Sequence, residues 1–340
     1  MYIYFDNLFR VALRPSGQDL NVYCFWIAGV DLSHVSMSSG RKDLIKAIEE
    51  ITDRKDFEFG DLLWVNAFKP SARMVDKFHL GRVFVAGDAA HCHSPTGAQG
   101  MNSSSQDSFN LGWKLALVVK GLTPPSLLET YDEELIPVIA EMLNKTTELM
   151  KQTIKSKDPK EAAAAWTRGN ELYMLGVNYR TSSIVLDDGP DFEKYIGFAY
   201  STESSNAARA GDRAPNAPGL LQVSPSKEDT SLFQLYGSSY HTVLVFGGST
   251  EQHRSLRVIV ERLPKALVKS ALIVSERDKK AGNSTNFDVV LVDCQGYASK
   301  SYSICSTGGL SVVIVRPDGV VGARISILEN IKKYFTKIFL

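Results

Sequence analysis

The sequence predicts a mixed α/β fold divided into two domains. Segments with the 3.6-residue apolar period of a helix alternate with short β-rich runs along the chain. A stretch rich in Ser, Ala, Gly and Pro, STESSNAARAGDRAPNAPGLLQVSP (201–225), separates the more helical part from the more β-rich part. At 340 residues the chain has the length of about two domains. We therefore predict one domain over residues 1–200 and a second over residues 209–340.

The charge balance and the cysteines argue against several classes of protein. Lys plus Arg and Asp plus Glu both number 38, so no net field favours nucleic acid or an anionic membrane. The cysteines lack the close spacing of a disulfide framework or a zinc ribbon; they are Cys24, Cys92, Cys294 and Cys305. The N-terminal segment has no apolar signal core, and no apolar run reaches the ~18 residues of a membrane span. We expect a cytoplasmic protein with no nucleic-acid or membrane partner.

The first predicted elements are a hairpin, a helix and a strand. RVALRP (10–15) and LNVYCFWIA (20–28) are extended runs, and the turn-forming residues 16–19 join them as a hairpin. RKDLIKAIEEIT (41–52) places its Leu and Ile residues on one face of a helix. DLLWVNAF (61–68) returns to the pattern of a strand.

A strand, a loop and two helices follow. RVFVAGD (82–88) is a continuous apolar run, which is typical of a strand buried on both faces. After the loop, residues 102–120 are predicted to form a helix that ends at Gly121. Its predicted apolar face consists of Phe109, Leu111, Leu115 and Val118. A second helix has Pro124 in its first turn and is kinked at Pro137.

The region after residue 225 is predicted to be a small α/β domain. Its β-rich runs are HTVLVFGG (241–248), RVIVERL (257–263), FDVVLVDC (287–294) and LSVVIVRPDGVVGAR (310–324). The spacing between these runs leaves room for helices, and the chain ends in the amphipathic segment ILENIKKYFTKIF (327–339).

The segment GDAAHCHSPTGAQGMN (87–102) permits two interpretations. In the first, His91, Cys92 and His93 bind a metal. Neighbouring side chains of an extended segment point to alternate sides, so only the two histidines could converge, and further ligands would have to come from elsewhere. We therefore expect no metal; instead, one histidine is a hydrogen-bonded loop residue and Cys92 only fills space in the packing.

The second interpretation is a cofactor site, and it uses more of these residues. A strand that ends at Asp88 delivers a carboxylate to the edge of a sheet, where it can accept hydrogen bonds from sugar or ribitol hydroxyls. Gly97, Gly100 and the start of the next helix offer backbone N–H groups. A purely structural strand, loop and helix is the alternative to this interpretation.

A longer segment supports the cofactor interpretation by resemblance. RMVDKFHLGRVFVAGDAAHCHSPTGAQGMNSSSQDSFNLGWKLALVVKG (73–121) resembles the second flavin-binding motif of the class A flavoprotein aromatic monooxygenases, in particular the phenol 2-monooxygenase-like branch. The resemblance implies that Asp88 binds the flavin ribitol. It also implies that the isoalloxazine lies along Pro95, Gly97, Ala98, Gln99, Gly100, Met101 and Asn102.

The resemblance extends to both sides of this motif. LRPSGQDLNVY (13–23) is similar to a segment of the phenol hydroxylase branch that carries a tyrosine near flavin and substrate, which implies catalytic roles for Tyr23 and, with a turn shifted by one residue, Arg14. An interior strand aromatic is the alternative for Tyr23. GDRAPNAP (211–218) and VRPDGVVG (315–322) resemble the thioredoxin-like domain of these enzymes.

The predicted thioredoxin-like domain is expected to be structural or to stabilise a homodimer. Thiol–disulfide chemistry needs a cysteine of low pKa at a helix start. GGSTEQ (247–252) follows the strand HTVLVF instead and contains no cysteine.

Some parts of the family pattern do not occur in this chain. The G-x-G-x-x-G turn for the FAD pyrophosphate and the later Asp-Gly motif are not found before Asp88, and Asp188-Gly189 is interpreted as a turn. The family often has Arg where this chain has Leu135. The chain therefore resembles the C-terminal two thirds of such an enzyme, and we expect it to bind FAD weakly or not at all on its own.

The resemblance as a whole implies FAD-dependent, NAD(P)H-consuming hydroxylation of a phenolic or other aromatic substrate with O₂. A truncated derivative of such an enzyme falls under the same prediction. The alternative from another class is a non-catalytic dimerisation or scaffold protein derived from a monooxygenase. A redox-active thioredoxin-like protein is a third alternative, which the cysteine spacing disfavours.

Overall fold

The computed structural model describes residues 2–5, 9–17, 21–29, 40–66, 71–94, 99–155, 174–197, 199–200, 207–276, 287–304 and 309–340. By its contacts the chain divides into two compact units. The first comprises Met1–Arg73, Cys92–Gln99 and Leu143–Arg168, and the second comprises Met74–His91, Gly100–Met142 and Gly169–Leu340. The domain division predicted between residues 200 and 209 stays a prediction.

The first unit contains an antiparallel three-stranded sheet and a helix. The strands are β1 (Tyr2–Phe5), β2 (Phe9–Pro15) and β3 (Tyr23–Gly29), in that order across the sheet. The pairing of β2 with β3 confirms the predicted hairpin. Helix α1 (Arg41–Thr52) is confirmed with its predicted bounds, and it buries a leucine and two isoleucines at helical spacing.

The predicted strand at 61–68 is not formed over its described part, residues 61–66. Leu63 and Trp64 are 73% and 76% exposed. A strand needs a neighbour to pair with its backbone N–H and C=O groups, and none of the described strands supplies one here. The apolar pattern alone does not reveal whether a partner exists.

The second unit is built on an eight-stranded mixed sheet. Its order is β10, β9, β13, β12, β11, β14, β15 and β8. The bounds are β8 (Leu186–Asp187), β9 (Leu220–Ser224), β10 (Glu228–Thr230), β11 (His241–Phe246), β12 (Val268–Ser275), β13 (Val289–Asp293), β14 (Ser311–Val315) and β15 (Val321–Ile325). Strands β11, β12 and β13 are parallel, whereas β14 runs antiparallel to β11. The β-rich runs at 241–248, 287–294 and 310–324 are thereby confirmed as strand-forming.

One predicted β-rich run of this region is wrong. Residues 257–263 begin within helix α5 (Thr250–Val260), which follows the capping box formed by Ser249 and Gln252. The parallel strands β11 and β12 need a crossover connection, and a helix provides it. The apolar residues of α5 pack against the sheet, so tertiary packing overrides the β-propensity of the Val-Ile-Val run.

Three further helices complete the described part of this region. They are α4 (Leu232–Leu235), α6 (Tyr297–Ser301) and α7 (Leu328–Phe335), the last confirming the predicted C-terminal helix. Two clusters of buried apolar residues stabilise the sheet, and β11 contributes to both because all six of its residues are buried. None of the described helices has the length and apolarity needed to cross a membrane.

The elements that lead to the candidate site are short. They are β4 (Arg73–Met74), β5 (His79–Leu80), β6 (Val83–Phe84), a 3₁₀ helix (Gly87–Ala89) and β7 (His91–Cys92). The predicted doubly buried strand at 82–88 is therefore wrong. Strand β6 pairs antiparallel with β5 alone among the described strands, and Val83 is 69% exposed, so the run belongs to no large sheet whose two faces are covered by other elements.

Two long helices follow these strands. Helix α2 (Gly100–Val119) confirms the predicted helix and ends before Gly121. A 3₁₀ helix (Pro125–Glu129) precedes α3 (Thr130–Lys155), which contains Pro137. The predicted apolar face of α2 is wrong: Phe109 is 63% exposed, whereas Trp113 and Leu117 join the core of the sheet.

Candidate functional site

The candidate site begins at a tight turn formed by Gly87 and Asp88. Gly87 has a φ of +58°, which favours glycine, and a Cβ placed there would lie 3.0 Å from the Ser104 Oγ of α2. The 3₁₀ helix therefore packs directly against α2. The Asp88 side chain is exposed at this turn.

A buried carboxylate of α2 joins the two ends of the turn. Asp107 Oδ2 accepts a hydrogen bond from the Gly87 backbone N–H at 2.8 Å, and it lies 2.7 Å from His91 Nε2. Both the Asp107 and the His91 side chains are 0% exposed. The ring of His91 also packs near Phe78, with ring centroids 5.8 Å apart.

The start of α2 adds backbone donors in the same unit. The first N–H groups of a helix have no acceptor within the helix and give its N-terminus a partial positive charge. Here they belong to Gly100, Met101 and Asn102, and the first turn has no acidic residue. Met101 is 80% exposed and Asn102 is also exposed. The unit thus presents a carboxylate acceptor and a set of N–H donors to solvent.

The predicted site residues are divided between the two compact units. Asp88 and Gly100–Asn102 belong to the second unit, whereas Arg14, Tyr23 and Gln99 belong to the first. Pro95, Gly97 and Ala98 lie outside the described residues. Gln99 is buried, with 2% of its surface exposed.

The two predicted catalytic residues do not converge. In the β2–β3 pairing, Arg14 lies opposite Cys24 and Pro15 lies opposite Tyr23. Residues that face each other across a ladder share one side of the sheet and their neighbours point to the other, so Arg14 and Tyr23 lie on opposite faces of the hairpin. Tyr23 is 47% exposed, so the alternative of an interior strand aromatic is wrong for the described fold.

The histidines of the segment can be compared with the metal interpretation. The expected hydrogen bond of one histidine is confirmed by the contact between His91 and Asp107, but His91 lies in the short strand β7 rather than in a loop. Within the described ranges, no group of three or more His, Cys, Asp and Glu side chains is placed to bind a metal ion. The expected lack of metal remains a prediction.

Sequence reasoning missed a buried charge cluster, which consists of Lys114, Glu134, Arg316 and Asp318. Glu134 Oε2 lies 2.8 Å from Lys114 Nζ, and Glu134 Oε1 lies 2.7 Å from Arg316 Nη1. Arg316 also pairs with Asp318. The side chains of Lys114, Glu134 and Arg316 are 0% exposed.

The charges of this cluster shift the pKa values of its members. Burial alone would raise the pKa of Glu134, but the Arg316 and Lys114 charges offset burial and hold that pKa well below its ordinary value. Burial lowers the pKa of Lys114 to about 8, against the opposing effect of Glu134. The available signal was a stripe of polar residues at helical spacing on α2, namely Ser103, Asp107, Asn110 and Lys114, all of them buried.

Comparison with known proteins shows which proteins this chain resembles in sequence. Residues 1–146 match the family described as FAD binding domain. The chain is 31% identical over 293 residues to a flavin-dependent monooxygenase of Mycobacteroides abscessus, covering 86% of this chain and 48% of that protein. The chain is thus similar in sequence to flavin-dependent monooxygenases. It is also 30% identical over 273 residues to the pentachlorophenol 4-monooxygenase of Sphingobium chlorophenolicum, covering 77% of this chain and 45% of that protein.

Solved structures of this kind share the mixed α/β fold. Aklavinone-11 hydroxylase in a ternary complex with FAD and aklavinone has a TM-score of 0.70 at 22% identity, with 93% of this chain and 55% of that chain covered. The flavin-dependent monooxygenase PieE, in complex with FAD and substrate, has a TM-score of 0.68 at 22% identity, with 92% and 56% covered. The chain thus spans about half the length of the homologues it matches.

Proposed function

We propose that this chain is part of an FAD-dependent monooxygenase that hydroxylates a phenolic or other small aromatic substrate, with O₂ and NAD(P)H as co-substrates. The observation that carries the proposal is that the exposed Asp88 carboxylate, on a turn packed against α2, and the N-terminus of α2 lie in the same compact unit, inside the segment that matches the FAD binding domain family. Homologues named for chlorophenol and tetracycline oxidation support an aromatic substrate.

The residues present fit the chemistry of a flavin. The Asp88 carboxylate is an acceptor for ribitol hydroxyls, and the N–H groups of Gly100 to Asn102 are donors for the acceptor atoms at the pyrimidine edge of the ring. Bound FAD supplies the electron transfer and the activation of O₂. The positive end of α2, whose first turn has no acidic residue, would stabilise negative charge on the edge of a bound ring.

We extend the proposal to the residues of the loop and of the hairpin. Pro95, Gly97, Ala98 and Gln99 would lie along the ring, as the resemblance implies. Tyr23 is the better candidate for a substrate contact, and Arg14, on the other face of the hairpin, would act separately from it.

The C-terminal sheet is proposed to be a thioredoxin-like domain with a structural or dimer-stabilising role. Its three parallel strands β11 to β13, followed by the antiparallel β14 and β15, support this assignment. Strand β9 extends the sheet by pairing antiparallel with β13. Cys294 follows β13 and does not begin a helix, which supports a domain without thiol–disulfide activity.

A flavin titration tests the proposed function. The chain is joined to the N-terminal FAD half of a related enzyme, and FAD binding is measured by fluorescence. Asp88→Ala removes charge-assisted hydrogen bonds to the ribitol, so we expect the dissociation constant to rise by about tenfold to hundredfold.

The matched control is Asp76→Ala, which removes another exposed carboxylate of the same unit and should leave the affinity unchanged. Equal FAD affinity in the Asp88→Ala variant and the parent protein would contradict the flavin role of this turn. The scaffold alternative would gain support if neither protein bound FAD.

A further inference from the structure

We propose that Asp107 is a positioning residue of the flavin site, which fixes the Gly87–Asp88 turn on the helix that supplies the backbone donors. This inference rests on the proposed function. Asp107 lies outside the loop and outside the set of residues that the resemblance assigns to the cofactor. Its role follows from the contacts of a single carboxylate oxygen.

The Asp107 Oδ2 atom contacts both ends of the turn. The Gly87 N–H, 2.8 Å away, precedes Asp88 directly, and His91 Nε2, 2.7 Å away, follows the 3₁₀ helix. Asp88 is therefore held between Gly87 and His91, which both contact the same oxygen of Asp107. A further backbone hydrogen bond, from the Ala90 N–H to the Gly87 carbonyl at 2.8 Å, closes the turn itself.

The position of Asp107 on α2 links the Gly87–Asp88 turn to the helix start that supplies the backbone donors. Asp107 lies about two helical turns after Gly100, on the buried face of the helix. The same rigid helix therefore holds the acceptor Asp88, through Asp107, and carries the donors Gly100 to Asn102. A binding site loses affinity when the residues behind its contacting groups do not hold those groups in place, even if every contacting group is present.

Burial makes this contact hard to replace. The Asp107 and His91 side chains are 0% exposed, so water does not compete for the shared oxygen. The His91 ring packs near Phe78, and the Val75 N–H donates to the Ala90 carbonyl at 2.9 Å beside it. The histidine is thus fixed on its other sides by the backbone and by packing.

The test is a double-mutant cycle in the full chain, with FMN as the probe. FMN contains the ring and the ribitol but not the pyrophosphate, so it reports on this part of the site alone. Fluorescence anisotropy gives its dissociation constant for the parent protein, Asp107→Asn, Asp88→Ala and the double variant. Thermal unfolding of each variant is recorded in parallel.

We expect Asp107→Asn to raise the FMN dissociation constant by about tenfold, because a neutral oxygen holds the turn less firmly. In the Asp88→Ala background the same change should raise it by less than about twofold, because Asp107 acts through the position of Asp88. Ser108→Ala, an exposed change on α2, is the control and should leave FMN binding unchanged. A purely structural role would instead produce equal effects in both backgrounds, and that result would overturn the proposal.

His91→Gln is a second variant in case Asp107→Asn does not fold. It leaves the hydrogen bond from Gly87 to Asp107 in place, and it should weaken FMN binding by about threefold with the same dependence on Asp88. If Asp88→Ala weakens binding but neither positioning variant does, the role of Asp107 is wrong and the proposed function stands. If the parent protein binds no FMN, Asp107 positions no flavin site in this chain and the proposal is overturned, whereas the FAD titration of the joined protein still decides the proposed function.

Discussion

At the scale of single residues, Gly87 combines a requirement of the backbone with a requirement of packing. Its φ of +58° disfavours any residue with a Cβ, and a Cβ would also lie 3.0 Å from Ser104 Oγ. Gly81 has nearly the same φ, +60°, but a Cβ there would meet nothing within 4 Å. Substitution of each glycine therefore distinguishes the free-energy cost of the left-handed backbone from the cost of the contact with Ser104.

We predict that Gly81→Ala lowers the free energy of unfolding by about 1 kcal/mol, which is the cost of a left-handed backbone for a residue with a Cβ. Gly87→Ala should cost at least about 1 kcal/mol more, because α2 must also give way. Urea unfolding of both variants measures the difference. Equal losses would show that the contact with Ser104 relaxes freely.

At the scale of elements, β11 begins with a buried histidine in an aromatic environment. His241 is 1% exposed, and its ring forms edge-to-face contacts with Trp113, Tyr334, Phe335 and Phe339. Burial, helped by the Arg316 charge, lowers the pKa of His241 to about 3. The folded protein therefore holds this histidine neutral at a pH where the unfolded chain binds a proton.

The stability of the protein should fall as the pH decreases from about 6.5, the ordinary pKa of histidine, toward about 3. Over this range the unfolded chain carries the extra proton, and each unit of pKa difference is worth about 1.4 kcal/mol. His241→Phe should flatten this pH dependence in chemical unfolding measured between these limits. A slope in His241→Phe equal to that of the parent protein would contradict the prediction.

At the scale of the whole molecule, the buried charge cluster links parts of the chain that are far apart in sequence. Glu134 on α3 pairs with Lys114 on α2 and with Arg316, which follows β14 and is 182 residues away in sequence. Ser182 Oγ donates to the same carboxylate at 2.6 Å. One carboxylate thus compensates two buried cations within the second unit.

Glu134→Gln should lower the free energy of unfolding by about 3 to 5 kcal/mol, because it leaves Lys114 and Arg316 without their shared partner. The depressed pKa of Glu134 means that its contribution is present above its ordinary pKa and is lost as the pH falls below that value. Urea unfolding at neutral pH measures the loss. Glu148→Gln removes an exposed ion pair of α3 and should cost no more than about 1 kcal/mol; a similar cost for both variants would contradict the prediction.

Local sequence patterns correctly predicted the elements whose stability is set nearby. Helix α1, the β2–β3 hairpin and the strand β11 have the periodicity, turn residues or apolar run that their final structure uses. The resemblance of residues 73–121 to a flavin-binding motif, which points to Asp88 and to the start of α2, stays a prediction. These features depend on residues that are close together in the chain.

The tertiary structure decided the rest, because it determines which partner each segment meets. The runs at 61–66 and 82–88 have the apolar pattern of strands. Among the described strands, however, residues 61–66 have no pairing partner, and the run at 82–88 pairs only through β6 with the two-residue strand β5. Residues 257–260 became a helix because two parallel strands needed a crossover. On α2 the polar face turned inward, because Glu134 and Gly87, distant in sequence, supply partners for Lys114 and Asp107. The sequence shows which side chains are able to form ion pairs and hydrogen bonds, but the tertiary structure determines which of these side chains come into contact.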